Sequence, residues 1–212
     1  MIYVMFIFSM LCLPLAALDT LDAPAIRPDV RQAGRFFSIG LGMANGEAEV
    51  ELKRTAVKES VSASSLTLTG QLGYTYPVAT TAFIRPSLFL TLVNMKNMDG
   101  MRADIDHHLG LQVDIGHKIN QVVSIHGILL VSAISHRIAL VDLGNSTTIA
   151  LEETQLSDWS LGYGLGLERQ LRDGYSVVAE YITQTGTATT TAIASDITIT
   201  LSELRLKLSR RF

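Results

Sequence analysis

Apolar and polar residues alternate along the last segment of the chain, residues 197–212. The apolar residues share one parity: Leu204, Leu206, Leu208 and Phe212. The charged residues share the other: Glu203, Arg205, Lys207 and Arg211. Because successive residues of a strand point to opposite faces of a sheet, this pattern predicts a strand with one apolar face and one charged face.

The same alternation recurs upstream, in segments of roughly ten residues, the length of a strand that crosses a membrane. The eight predicted strands cover residues 36–44, 64–76, 82–93, 106–116, 122–135, 158–168, 175–184 and 197–212. The fifth is the weakest prediction, because Ile128, Leu130 and Ile134 make both of its faces apolar. An even number of strands is what single-chain bacterial membrane barrels require.

The connections between the predicted strands alternate in length. Short joins follow strands two, four and six, at residues 77–80, 117–120 and 171–174. Long polar stretches follow strands one, three, five and seven, at residues 45–63, 94–105, 136–155 and 185–195. Bacterial membrane barrels have short periplasmic turns and longer outer loops, so the alternation predicts that both termini are periplasmic and that four loops face outward.

The composition favours a membrane protein without spanning helices. The chain is 48% hydrophobic and 17% charged, with a mean hydropathy of +0.30. Beyond the amino terminus no apolar run reaches the ~20 residues that a helical span needs. Since only helices and closed barrels satisfy their backbone in lipid, we predict an all-β fold, an eight-stranded antiparallel transmembrane β-barrel over residues 35–212. A soluble barrel of the lipocalin type is the alternative, and it would place its apolar residues inside.

The amino-terminal segment has the character of a targeting sequence. Residues 1–17 form an apolar run that ends in Leu-Ala-Ala, which predicts a signal peptide. Residues 18–34, with Pro24 and Pro28, are predicted to be a periplasmic lead-in. An uncleaved anchor helix and a lipoprotein attached through Cys12 are weaker alternatives. Cys12 is the only cysteine, so cleavage leaves a chain that forms no disulfide.

Aromatic residues fall near the ends of the predicted strands. Rings with an apolar body and a polar edge favour the two membrane interfaces, which predicts aromatic girdles. Trp159 is expected at the outer interface. The periplasmic girdle is expected to hold Phe36, Phe37, Tyr74, Tyr76, Phe83, Tyr175 and Phe212.

Charged residues of both signs take the inward parity of several predicted strands. Because an isolated buried charge costs several kcal/mol, they should pair inside the lumen. Glu180 is expected to pair with Arg205 or Lys207, and inward glycines on strands one and six leave room for these long side chains. The full predicted network is Arg85, Asp114, Glu168, Glu180, Glu203, Arg205 and Lys207.

The signal segment, the eight strands and the terminal sequence LSELRLKLSRRF resemble the small bacterial outer-membrane barrel superfamily of OmpA-like, OmpX-like and opacity-type proteins. The resemblance implies an integral protein of the cell outer membrane that supports the envelope or presents loops to a host or environment. It implies Phe212 as the signal read by the barrel assembly machinery. Outer-membrane lipid, lipopolysaccharide and a ligand of the outer loops are the implied partners. No peptidoglycan-binding domain is expected after the barrel.

Two other classes of function stay open. A barrel enzyme that modifies lipid A needs a His and a Ser near the outer lipid-facing rim, and no His-x-Ser lies on an outward parity, so we predict no enzyme. A narrow channel for small hydrophobic solutes, as in OmpW-like proteins, is the other class. Its path would be lined by the inward apolar residues Phe89, Ile128, Leu130 and Ile182, which more simply fill the narrow interior.

Sites for metals, cofactors and nucleic acid find little support. Asp104, Asp106 and His108 share a parity at the outer end of strand four and could converge on a cation. A solvated polar rim is the simpler interpretation, so no metal and no cofactor are predicted. A net charge of -3 with scattered basic residues argues against nucleic acid.

Overall fold

The computed structural model describes residues 33–52, 57–95, 101–140, 154–190 and 195–212. The predicted signal peptide, and the predicted lead-in up to residue 32, lie outside the described residues, as do the central parts of the four predicted outer loops. Within the described residues, no helix has the length and apolar character needed to cross a membrane.

Eight strands form one closed antiparallel barrel in which each strand pairs with its neighbours in sequence. β8 pairs with β1 from Phe36↔Arg211 to Leu52↔Ser195, which closes the sheet. The predicted fold class is therefore confirmed. The strands are β1 (Gly34–Leu52), β2 (Val57–Pro77), β3 (Ala82–Met95), β4 (Met101–Lys118), β5 (Val123–Leu140), β6 (Thr154–Gln170), β7 (Tyr175–Thr190) and β8 (Ser195–Arg211).

Three tight turns, at residues 78–81, 119–122 and 171–174, lie at one end of the barrel, called the turn end below. In the third turn Asp173 and Gly174 have φ of 60° and 77°, the left-handed conformation that a tight hairpin turn requires. In the second turn the Asn120 side chain accepts hydrogen bonds from the backbone of Val122 and Val123 at 2.9 and 2.8 Å. Both chain ends of the barrel are here, because the Phe212 amide donates to the Arg35 carbonyl at 2.9 Å.

The barrel exterior is apolar over a broad band. Outward side chains of all eight strands contribute to it. They include Leu41, Leu66, Leu88, Leu111, Leu129, Leu161, Tyr181 and Leu206, each at least 52% exposed. A continuous apolar surface of this extent is not stable in water, so the band requires a lipid environment. The alternative of a soluble barrel is therefore wrong.

The edge of the lipid-facing band is sharp on β7, β8, β1 and β2. The last apolar row across these strands is Tyr181, Leu204, Met43 and Leu66. Two residues further from the turn end the row becomes polar: Thr183, Ser202, Asn45 and Ser64. Hydrogen bonds join this polar row, with Ser64 donating to Asn45 at 2.6 Å and Thr183 lying 3.2 Å from Ser202. The polar row marks the level at which lipid gives way to water.

The strands continue well past this level, so the prediction of long irregular outer loops is wrong for much of their length. Residues 45–63 were predicted to connect the first two strands, but the β1–β2 ladder runs on to Leu52↔Val57. The prediction failed because the alternation of polar and apolar residues reverses at the polar row. Beyond that row the apolar residues face inward and the polar residues face outward. On β8, Ile199 and Leu201 are buried while Thr198 and Thr200 face outward. Once water replaces lipid outside, the apolar residues are more stable inside.

An irregularity in β4 changes which residues face the lumen. The pairing of β4 shifts register between Ile105 and His107, so one extra residue is accommodated there. As a result Asp106 is exposed while His108 is fully buried. The suggested cation site that needed Asp104, Asp106 and His108 on one face is wrong, because the bulge separates Asp106 from His108.

We expect an arginine in the lipid-facing band to destabilise the barrel. Leu41 lies midway between Phe37 and the polar row on β1, and Leu41→Arg should lower the free energy of unfolding by about 2–4 kcal/mol. Thr185→Arg, on the exterior beyond the polar row, is the matched control and should cost less than about 1 kcal/mol. Urea unfolding from lipid vesicles, followed by fluorescence of the single tryptophan Trp159, measures both. Equal losses would contradict the assigned lipid boundary.

Candidate functional site

The lumen is the candidate site, because it holds most of the buried charge of the described residues. The structure places all seven residues of the predicted network inside the barrel, each at most 4% exposed. They come from β3, β4, β6, β7 and β8, and alternation along each strand brings them inward. They fall into three clusters at successive levels above the turn end.

Arg85 organises the cluster nearest the turn end. Its Nη2 donates to Glu168 Oε2 at 2.6 Å, and its Nε donates to Thr75 at 3.3 Å. The guanidinium also lies 5.1 Å and 4.8 Å from the ring centroids of Phe36 and Phe83. Both phenylalanines are therefore lumen residues, and their assignment to the girdle was wrong. Their parity places them inside, where both rings contact the arginine cation.

Lys207 and Glu180 form the centre of the second cluster. The Lys207 ammonium donates to Glu180 and to Gln71 on β2, which ties β7 to β2 across the barrel closure. Glu180 is thus paired with Lys207, although Arg205 is the residue directly opposite it in the ladder. Asp114 accepts a hydrogen bond from the Gln112 amide at 2.8 Å.

Glu203 is the shared partner of the third cluster. It lies 2.7 Å from Arg205 Nη2, accepts from Thr67 at 2.6 Å, and lies 3.6 Å from His108 Nε2. Phe89 contacts both Arg205 and His108, with its ring centroid 5.4 Å from the Arg205 guanidinium and 5.4 Å from the His108 ring. The third cluster therefore combines an ion pair with aromatic packing.

Further polar side chains complete the network, and none of them was predicted from the sequence to be a partner of these charges. They share the inward parity of the charges, which is the signal that could have found them, but parity alone does not say which partner a charge selects. They are Thr67, Gln71, Thr75, His108, Gln112, His126 and Gln184. Gln184, for example, accepts from Ser132 at 3.0 Å and contacts His108 Nδ1 at 3.3 Å.

Apolar side chains occupy the rest of the lumen. Phe89, Ile128, Leu130 and Ile182, the residues considered as the wall of a channel, contact one another in a single buried cluster. Farther from the turn end, Val93, Met95, Ile105 and Leu201 are each at most 2% exposed. The four considered residues therefore pack as a core around the ion pairs.

Glycines provide the space for the long polar side chains. A Cβ on Gly166 of β6 would lie 2.0 Å from His126 Nε2, and one on Gly40 of β1 would lie 2.5 Å from Lys207 Cγ. The imidazole and the lysine stem therefore rest directly on the glycine backbone of the facing strands.

The other predicted girdle residues lie on the exterior. Phe37, Tyr76 and Trp159 are exposed, while Tyr74 and Tyr175 are half-buried. Tyr74 and Tyr76 pack with ring centroids 4.5 Å apart. Phe212 is exposed at the turn end, where the Arg210 guanidinium lies 5.1 Å from its ring and 5.2 Å from that of Tyr175.

We expect the glycine contact to be detectable by mutation. Gly166→Ala should lower the free energy of unfolding by about 1–3 kcal/mol, because the new methyl group displaces His126. Gly127→Ala is the matched control: its Cβ meets nothing within 4 Å, so it should be neutral or stabilise by up to about 1 kcal/mol. Urea unfolding of both variants tests this, and equal stabilities would mean that the imidazole does not rest on Gly166.

Breaking the central ion pair should also destabilise the barrel. Glu180→Ala leaves Lys207 buried without its carboxylate, and we expect a loss of about 3 kcal/mol, less if water enters. Replacing both residues, as Glu180→Leu with Lys207→Met, should recover most of that loss because no charge is left unpaired. A Glu180→Ala protein as stable as its parent in urea would contradict the pairing.

Comparison with known proteins identifies the fold. No protein-family model matches the chain, and no curated protein sequence matches it. The structure is similar to the neisserial surface protein A, with a TM-score of 0.54 and 13% identity over 84% of this chain and 99% of that one.

Two further solved structures match with lower scores. Ail, the attachment invasion locus protein of Yersinia pestis, has a TM-score of 0.45 and 15% identity, covering 84% of this chain and 99% of that one. OprG of Pseudomonas aeruginosa has a TM-score of 0.40 and 14% identity, covering 86% of this chain and 97% of that one. The chain thus has the fold of a small bacterial outer-membrane barrel, and this fold and its lipid-facing band support the predicted location in an outer membrane.

Proposed function

We propose that this chain is an integral outer-membrane protein whose lumen is closed to solutes and whose outer extensions serve envelope structure or surface recognition. The observation that carries the proposal is the crossing of the lumen by a buried ion pair and a buried hydrogen bond. Arg85 on β3 reaches Glu168 on β6, and Lys207 on β8 contacts Gln71 on β2 and Glu180 on β7. Contacts that join non-neighbouring strands must pass through the lumen, so they obstruct it.

The alternative of a channel for small hydrophobic solutes is less well supported. Such a path would pass Phe89, Ile128, Leu130 and Ile182, and these side chains already pack against one another. Moving a solute past them would require the packed cluster to open. The path would also pass beside the ion pair of Glu203 and Arg205, whose charged groups are buried in the lumen.

The strand extensions beyond the polar row provide the surface that a partner could reach. β1 continues from Asn45 to Leu52 and β2 begins at Val57, so this hairpin stands above the lipid. On β1, β2, β7 and β8 the outward residues whose burial is described there are hydroxyl-bearing or acidic, among them Glu47, Ser62, Thr185, Thr187 and Thr200. A regular paired sheet holds these groups at fixed spacing, which suits display to a partner better than a mobile loop does.

We propose a non-enzymatic role because the geometry of the histidines does not match the lipid A chemistry considered above. His108 and His126 face the lumen and are fully buried. His107 is on the exterior, but Ser135, its partner in the ladder, is buried. A catalytic pair for a lipid substrate would need both groups on the exterior surface.

The closed lumen predicts a lack of steady conductance. Wild-type protein reconstituted in planar bilayers should give no large, lasting open state, whereas a porin in the same bilayers conducts. A steady open conductance from protein whose mobility on gels still changes on boiling would overturn the closed-lumen proposal.

The proposed orientation can be tested by labelling in intact cells. Thr185 lies beyond the polar row and Gln121 lies in a turn at the opposite end. A membrane-impermeant maleimide should label Thr185→Cys in whole cells and Gln121→Cys only after the outer membrane is disrupted. The unmodified chain, whose one cysteine is Cys12, is the background control. The reverse labelling pattern would invert the barrel.

A further inference from the structure

Three chelating side chains meet in the second cluster of the lumen. Asp114 on β4, His126 on β5 and Glu180 on β7 each offer a ligand atom, and these atoms lie within 4.8 Å of one another. All three residues are at most 1% exposed. Gln112 borders the group, since its amide nitrogen lies 2.8 Å from Asp114 Oδ1 and 3.5 Å from Glu180 Oε1.

Several buried atoms of this group have no hydrogen-bond partner. They are Asp114 Oδ2, Glu180 Oε2, Gln112 Oε1 and both ring nitrogens of His126. A buried polar atom without a partner costs about 1–3 kcal/mol, and more where the group is charged. Three of these atoms are oxygens that can only accept, so the group lacks a shared partner of positive charge.

The existing hydrogen bonds of Asp114 and Glu180 use the other oxygen of each carboxylate. Gln112 donates to Asp114 Oδ1, and Lys207 donates to Glu180 Oε1. Arg85 Nη1 is 3.9 Å from Asp114 Oδ2, too far for a hydrogen bond. A cation bound through Oδ2 and Oε2 would therefore leave the existing hydrogen bonds intact.

We propose that Asp114, His126 and Glu180 bind a divalent transition-metal ion of the zinc class inside the barrel. One imidazole nitrogen and two carboxylate oxygens suit such an ion, and the Gln112 carbonyl oxygen or a water completes a tetrahedron. His126 Nε2 is the ligand nitrogen, because it lies 3.5 Å from Glu180 Oε1 and so borders the carboxylate whose other oxygen, Oε2, has no partner. Metal bonds of about 2.0–2.2 Å require the side chains to draw together slightly. The ion would fasten β4, β5 and β7 to one another through the lumen.

The negative charge of the site favours a cation over an anion or a neutral solute. Asp114 and Glu180 carry two carboxylates, and Lys207 offsets one of them. Arg85 is engaged by Glu168 at 2.6 Å, so it offsets Asp114 only weakly. A proton held on His126 would also satisfy part of this charge, and it is the rival outcome of the test.

Cobalt binding provides a direct measurement. Full-length barrel refolded in detergent without metal should bind one Co²⁺ per chain with the intense visible absorption of a tetrahedral site, and Zn²⁺ should displace it. His126→Asn should weaken Co²⁺ binding at least 100-fold. His108→Asn is the matched control, because His108 is an equally buried lumen histidine outside the group, and it should bind as wild type does. A change of gel mobility on boiling checks that each protein is folded.

X-ray absorption of the zinc-loaded wild type gives a second readout, which does not depend on any substitution. It should show one imidazole among otherwise oxygen ligands. Folded wild type that binds neither ion would overturn the proposal and leave the proton on His126 as the occupant. Two imidazole ligands, or binding that survives His126→Asn and is lost in His107→Asn, would place the ion on the exterior and overturn it equally.

Discussion

The pairing of β8 with β1 is the constraint on which the rest of the structure depends. In lipid an unpaired backbone N–H or C=O costs several kcal/mol, so a sheet with free edges cannot span a membrane. The ladder from Phe36↔Arg211 to Leu52↔Ser195 removes both edges. Closure also divides every strand into an inward and an outward face for its whole length, so the identity of each residue is set by the medium that its side chain meets.

The two faces of the strands meet three environments: the lumen inside, and lipid or water outside. Where water replaces lipid outside, the alternation of polar and apolar residues reverses within a single strand. Along β8, Leu204, Leu206 and Leu208 face lipid while Arg205 and Lys207 are buried in the lumen. Beyond Ser202 the outward residues become hydroxyls and the inward ones, Ile199 and Leu201, become apolar. The outer end of the barrel is thus built like a water-soluble β-structure, with its own small core, and continues the membrane barrel without a break in hydrogen bonding.

This reversal explains what the sequence could and could not predict. Strand number, antiparallel order, the short turns and the inward charges follow from period-two alternation, because lipid and lumen impose opposite polarity on the two faces. The strand ends beyond Asn45 and Ser64 were missed, because their polarity has the opposite phase and resembles loop composition. The bulge between Ile105 and His107 leaves no sign in the alternation. The sequence narrowed the partner of Glu180 to Arg205 or Lys207 but did not choose between them, because the choice of Lys207 over the ladder partner Arg205 depends on the reach of the side chains.

The charged lumen also bears on how the register of this barrel is specified. Buried ion pairs add little net stability compared with apolar residues of the same volume, so stability alone does not explain their presence. A strand that is apolar on both faces could slip by one residue with little penalty, because lipid accepts either face. With Arg205 and Lys207 on one face and Leu204 and Leu206 on the other, the same slip would place cations in lipid, at about 2–4 kcal/mol for each one near the midplane. The two faces of β5 differ least in polarity, because Ile128 and Leu130 face inward while Leu129 faces outward. The polar residues on its inward face are His126, Ser124 and Ser132. We therefore infer that the lumen charges act mainly by making the wrong register unstable.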